Sequence, residues 1–320
     1  MSKLADSCRE IEPHLLAVAM GEADGGAVRR VEAHVAGCAS CREELGHYRS
    51  VDDMVQELRR APLAGADATL ARAQLTARLA DLRSRLVGFG IFPSPLGPVL
   101  IGRSEQGVAL VQYLPHGSLT AHVRRLLGED AVEDRVSTEG LRAELMEYLE
   151  GRRARLDWPL DLRRMRSEFQ RRVLEATAAL PYGAVTSYAG IAARIGAPTS
   201  ARSVAQALRW NPLPIVIPCH RVIGGDGTLV GYAGKRVELK QQLLAVEGVK
   251  TVATHDDFQV TRERMYMLMS GDREYCVPTC GDIGSRPLSV LTLFGTREGA
   301  EAAGFSPCSS CRPDLHPLPA

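Results

Sequence analysis

The eight cysteines fall into three groups that permit different chemistry. Cys8, Cys38 and Cys41 stand near one end beside His34, Cys276, Cys280, Cys308 and Cys311 near the other, and Cys219 alone between them. Short C-x2-C and C-x3-C spacings let two thiolates converge on one metal ion from a tight turn, so the terminal groups read as metal sites. Such usage fits a reducing compartment. Cys219 is different. It follows the apolar run 215–217 in the string Pro218-Cys219-His220-Arg221. The thiolate is the reactive form of cysteine, and an adjacent histidine or a hydrogen-bonded water can generate it, so the string resembles an activated nucleophile, with a buried structural thiol as the alternative reading.

Several elements must position that cysteine. Residues 187–211 read as helix, turn, helix: SYAGIAARIG, a polar turn APTS, then ARSVAQALRWN with Ser200 as N-cap and Arg202 and Arg209 projecting. Asn211-Pro212 stops the second helix, and 215–217 reads as a buried strand ending at Cys219. The segment 161–250 carries 13 Lys and Arg against 6 Asp and Glu, within a chain whose formal net charge is only +1, so a polyanionic partner belongs to this segment. Upstream, GFGIFPSP, GPVLIGRS and GVALVQYL read as a small antiparallel meander over 88–116, followed by helical patterns over 118–150 and 167–180. The sum is an α+β domain that closes near Lys250.

At 320 residues with 45% apolar content, the chain should form two or three globular domains. No apolar run approaches the ~20 residues of a membrane span, and the opening MSKLADSCRE has no basic region before an apolar stretch. No membrane partner and a cytoplasmic location are expected. Leu75, Leu79, Leu82 and Leu86 form a helical stripe within 51–87, shorter than the ~3 heptads of a coiled coil, and read as a packed or connecting helix.

FQRRV, PYGAVTSY, IPCHRVIGGDGTLVGYAGK and LLAVEG occur in that order, preceded by PLGPVLIGRSEQGVALVQY and by EYLEGRR with LDWPLDL. Together these resemble the O6-alkylguanine-DNA alkyltransferases over about residues 88 to 250. The resemblance implies that Cys219 accepts an alkyl group from O6-alkylguanine, and from O4-alkylthymine, in double-stranded alkylated DNA, once per molecule. It implies that His220, bridged through a water to Glu247, draws off the thiol proton, that Tyr188 donates to the departing base, and that Asn211 organises the turn. The base must be flipped out of the stack. Arg202 would fill the gap, with Ala201, Ser203 and Arg209 at the DNA and the loop carrying Tyr232 and Gly234 walling the pocket. Leu174 and Ser203 depart from the family's usual Trp and Ala without touching the nucleophile.

His34, Cys38 and Cys41 in VEAHVAGCASCREEL resemble the zinc-binding anti-sigma fold, with Cys8 or His14 as fourth ligand, which implies a sigma factor or another protein as partner of residues 1–50. The regulatory alternative follows: alkylation of the core would alter that binding. Cys276, Cys280, Cys308 and Cys311 resemble the metal-binding domain of the Ada adaptive-response protein. In that family the first cysteine also takes methyl groups from phosphotriesters. Here Val277, Gly281 and Ser306, Ser309 and Ser310 replace basic neighbours, so a structural zinc site is expected. The expected organisation is therefore α+β: a helical zinc module at 1–50, a helical linker at 51–87, alkyltransferase subdomains at 88–160 and 161–250, and a four-thiolate zinc domain at 251–320. Two structural zinc ions and no organic cofactor complete the expectation.

Overall fold

The structure is a computed structural model. It describes every residue except 1, 61–64, 115–125, 127–130, 164, 166, 235, 256, 282 and 320. The chain divides into two compact units, Met1–Leu79 and Ala80–Ala320.

In the first unit, α1 (Ser2–Ala19), α2 (Gly25–Gly37) and α3 (Ala39–Arg60) pack around Ile11, Leu15, Val31 and Leu45 together with Cys38 and Cys41. Gly21, at φ 73°, turns the chain out of α1. Asp24 then starts α2, its Oδ1 accepting from the amides of Gly26 at 2.7 Å and Ala27 at 2.8 Å. Among the described residues this buried cluster is small for three helices, which is where a metal staple contributes most. Helix α4 (Gly65–Arg85) follows, and of the two readings of its stripe the connecting one fits: Leu75, Leu79 and Leu82, with Leu86 just past the helix, are 41–58% exposed.

In the second unit, β1 (Val87–Phe92), β2 (Val99–Ser104) and β3 (Gly107–Tyr113) form the expected antiparallel meander, and β4 (Ala131–Glu133) adds in parallel beside β1. Helix α5 (Arg135–Leu149), capped by Asp134, lays Leu145 and Tyr148 into a core with Val99, Ile101, Val108 and Val111. Next come α6 (Glu168–Ala178), β5 (Ala184–Ser187), α7 (Tyr188–Arg194) and α8 (Ala201–Arg209). Ser167 and Ser187 cap α6 and α7 through their hydroxyls. Ser200 sits at the N-cap position of α8 but makes no side-chain cap bond, because its backbone (φ −99°, ψ 26°) lies outside the extended geometry that aims the hydroxyl at the helix.

The expected strand at 215–217 is absent. Prolines 212, 214 and 218 remove the amide donors a ladder needs, and Ile215 takes φ 75°. The segment is a tight turn in which the Ile217 amide donates to Leu213 O at 2.8 Å, leading into a single 3-10 turn, Cys219–Arg221. After it come β6 (Val222–Ile223) and α9 (Val237–Val246), then the hairpin β7 (Thr251–Ala253) and β8 (Phe258–Val260).

The last segment contains β9 (Tyr266–Met269), β10 (Glu274–Tyr275), β11 (Leu291–Phe294), α10 (Arg297–Ala302) and β12 (Ser306–Pro307). It does not stand apart at residue 250. β11 is buried along its whole length and pairs on one side with β9 and on the other with β5, giving one sheet in the order β6-β5-β11-β9. A strand buried on both faces and both edges needs two partners, and β5 supplies the second.

Candidate functional site

Cys219 lies buried at a cleft of about 510 Å³ lined by Tyr113, Tyr188, Asn211, Pro214, Tyr232 and the loop 230–234. The turn that carries it is fixed by Asn211. The Asn211 Nδ2 donates to Cys219 Sγ at 3.2 Å and to Ile217 O at 2.9 Å, while its Oδ1 accepts from the Leu213 amide at 3.0 Å. Burial pushes the Cys219 thiol up; the Asn211 hydrogen bond, the Lys240 charge and the Tyr232 hydroxyl pull the other way.

His220 is fully buried, and its Nε2 meets Glu247 Oε1 directly at 2.5 Å. The expected water between these two is not needed, because Glu247 caps the C-terminus of α9 and its carboxylate reaches the ring itself. That carboxylate is saturated. Oε1 also accepts from the Tyr148 hydroxyl, and Oε2 accepts from Arg221 Nε at 2.8 Å and the Gly183 amide at 3.0 Å. Burial works against the Glu247 anion, yet His220 and Arg221 together hold its carboxyl below the usual range. For His220, burial outweighs the neighbouring carboxylate and lowers its pKa, so the ring is neutral near pH 7. A neutral ring donating through Nε2 leaves Nδ1 as an acceptor, and Nδ1 is buried with no protein partner among the described residues.

Lys240 is a feature that the motifs did not reveal. Its Nζ donates to Val222 O at 2.6 Å and to Leu229 O, and lies 5.8 Å from the Tyr188 ring centroid. Burial lowers it to about 8, against the pull of Cys219. Its position was readable: Lys240 falls three and four residues before Leu243 and Leu244, on the buried face of α9. Tyr188 is pushed up to about 12 by burial and then by Cys219, so it keeps its proton.

On α8, Val204, Ala207 and Leu208 face the core, whereas Arg202, Ser203 and Arg209 are exposed and Ala201 is half-buried. Gly234 is exposed in the loop, but Tyr232 is buried and turned into the cleft.

Both metal-type groups assemble. Cys8, His34, Cys38 and Cys41 bring one ligand atom each within 4.8 Å of one another, with Cys8 Sγ 3.6 Å from His34 Nε2 and 3.8 Å from Cys38 Sγ. Cys8, not His14, completes that set. Cys276, Cys280, Cys308 and Cys311 converge in the same way. Soft thiolates with one imidazole or none, at separations a tetrahedron of this size requires, suit zinc.

Residues 168–249 match the family described as the 6-O-methylguanine DNA methyltransferase DNA-binding domain. Residues 8–42 match a zinc-finger family, and residues 253–314 match the metal-binding domain of Ada. Among curated relatives, a methylated-DNA–protein-cysteine methyltransferase of Methanosarcina acetivorans is 36% identical over 160 residues, covering 50% of this chain and 97% of the relative. The constitutive enzyme of that name from Bacillus subtilis is 44% identical over 33% of this chain, and the aligned part spans 63% of it. Among solved structures, the Mycobacterium tuberculosis O6-methylguanine methyltransferase is 33% identical, with 53% of this chain and 97% of that one covered at a TM-score of 0.46.

Proposed function

The chain belongs to the methylated-DNA–protein-cysteine methyltransferase family, and from that premise we propose that it repairs duplex DNA by moving an alkyl group from O6 of guanine, and O4 of thymine, onto Cys219 Sγ. The observation that carries this reading is the cluster at the cleft floor: a cysteine held by Asn211, beside a neutral histidine whose far nitrogen is engaged by a carboxylate.

The chemistry follows from those contacts. His220 Nδ1 takes the Cys219 proton through a bridging water, and Glu247 stabilises the imidazolium that forms. Cys219 Sγ attacks the alkyl carbon, the carbon–oxygen bond breaks, and both electrons of that bond leave with the base. Tyr188, protonated throughout, donates a hydrogen bond to the charge developing on the ring, and the buried Lys240 ammonium adds to the same field; the freed base then takes one proton from water, balancing the thiol proton that His220 returns to it. The thioether product does not turn over, so each molecule acts once. Arg202 fills the space of the extruded nucleotide, and the other exposed cation of α8, Arg209, engages phosphate without reading sequence.

Cys8, His34, Cys38 and Cys41 would hold one zinc ion and Cys276, Cys280, Cys308 and Cys311 a second, each supplying structural cross-links rather than chemistry. The test of the acceptor is Cys219→Ala, which should bind alkylated duplex but take up no label from it. Uptake at the wild-type rate would overturn the assignment.

A further inference from the structure

Gln112 and Tyr113, at the end of β3, are the contribution of the N-terminal sheet to the wall of the Cys219 cleft among the described residues. Tyr113 is 2% exposed. Its hydroxyl lies 3.0 Å from that of Tyr232, the two rings meeting edge-on at 5.9 Å and 63°, and the Arg236 guanidinium lies 5.4 Å from its ring centroid. Tyr113 therefore holds the cleft loop at its middle, through Tyr232, and just past its end, through Arg236. That loop needs gripping: Val230, Gly231, Ala233 and Gly234 all have positive φ, at 49°, 23°, 43° and 88°, a conformation unfavourable for the two that carry a Cβ. Apart from Tyr232, residues 230–234 are exposed, so little of their own packing sets how far the loop stands from the sulfur.

The two phenols and the sulfur also share one space. Burial raises both phenols first, and the Cys219 charge raises both further. Any group on the O6 oxygen must fit between Cys219 and this pair of rings when the base is in the cleft.

Given the acceptor reading of Cys219, we infer that Tyr113 is a specificity-determining residue: its ring, by filling the cleft wall and holding the Tyr232 loop, sets the largest alkyl group that can be delivered to the sulfur. Substrates with a methyl on O6 fit under this limit, and bulky aralkyl groups press against it.

The test uses the full chain and single-turnover transfer to Cys219 from duplex oligonucleotides bearing O6-methylguanine or O6-benzylguanine, with the modified peptide located by mass spectrometry. Tyr113→Leu shortens the wall and should raise the benzyl-to-methyl rate ratio about tenfold or more, in line with what a few missing pocket atoms do to discrimination. Tyr113→Trp should lower the ratio. Tyr113→Phe keeps the ring but loses the hydroxyl contact, and should slow both substrates in parallel. Circular dichroism and zinc content check folding, and the Trp and Phe variants still decide the matter should the Leu variant not fold. A ratio that stays within about twofold of wild type in the size variants overturns the inference, as does a Phe variant that moves it as far as Leu. A wild-type chain that takes up neither alkyl group refutes the acceptor reading itself; normal methyl uptake with a flat ratio refutes only the role of Tyr113.

Discussion

The Glu247 carboxylate receives donors from three distant parts of the chain: Tyr148 on α5, Gly183 before β5, and His220 with Arg221 in the 3-10 turn that starts at Cys219. Glu247→Gln would leave the buried Arg221 uncompensated, and should cost about 3–5 kcal/mol of stability at neutral pH, measurable by urea unfolding. The pH dependence has a definite sign. A carboxyl whose folded pKa lies below its unfolded value stabilises the fold fully above the unfolded pKa of about 4.5, and that stability is lost as pH falls through the folded value. The glutamine variant should therefore unfold with a shallower acid limb than wild type. If alkyl transfer needs neutral His220, whose pKa burial lowers, the rate should fall with a midpoint below the ordinary histidine value of 6.5 in a stopped-time pH profile; a midpoint above it would remove that role. Of the groups around the Cys219 sulfur, the sequence named those in one short string, Asn211 to His220, together with Tyr188, Tyr232 and Glu247. Tyr113, Tyr148 and Lys240 went unread because their roles arise from contacts 119, 99 and 18 residues away along the chain.

Helix α8 presents two faces with little mixing: Val204, Ala207 and Leu208 inward, Arg202, Ser203 and Arg209 outward. If Arg202 occupies the gap left by a flipped nucleotide, Arg202→Ala should slow transfer from duplex by about tenfold or more while barely changing reaction with the free alkylated base, since only the duplex has stacking to replace. Equal slowing of both, followed by rate of S-alkylation at Cys219, would leave α8 without that role. Periodicity made α8 legible, as alternation made the β1–β3 meander legible. It failed at 215–217, where three apolar residues read as a strand although the flanking prolines had already forbidden a ladder. Ser200 failed for a related reason: residue type suggests a cap, but backbone angles decide it.

Across the whole molecule, composition placed the cysteine groups correctly at the two ends but gave no sign that β11 would cross the boundary near 250 and hydrogen-bond to β5. Strand pairing between segments about a hundred residues apart leaves no local trace. It links the second thiolate group to the acceptor: Cys276 and Met267 of β9 exchange amide bonds at 2.8 Å, β9 pairs with β11, and just past β11 the Gly295 amide donates at 3.1 Å to Gly183 O, whose own amide holds Glu247. Cys308→Ser should reduce bound zinc from two ions to one per chain by metal analysis. It should also speed amide exchange at 184–187 and slow alkyl uptake by Cys219. Cys41→Ser should remove the other ion and leave exchange at 184–187 as it was, because residue 41 lies in the separate unit Met1–Leu79.

The same pairing bears on how the protein can be handled. A gene cut after residue 250, at the end of the match to the methyltransferase family, would strip β11 from β5 and leave the Ala184 and Val185 backbone without the partners Phe294 and Leu293 now provide. The bare strand is short and free of charge, with every residue buried in the intact chain. Such an edge recruits its missing neighbour from another molecule. A truncated repair domain would accordingly be expected to precipitate or to pair with itself, and a soluble minimal version of this protein should end not at 250 but beyond Phe294.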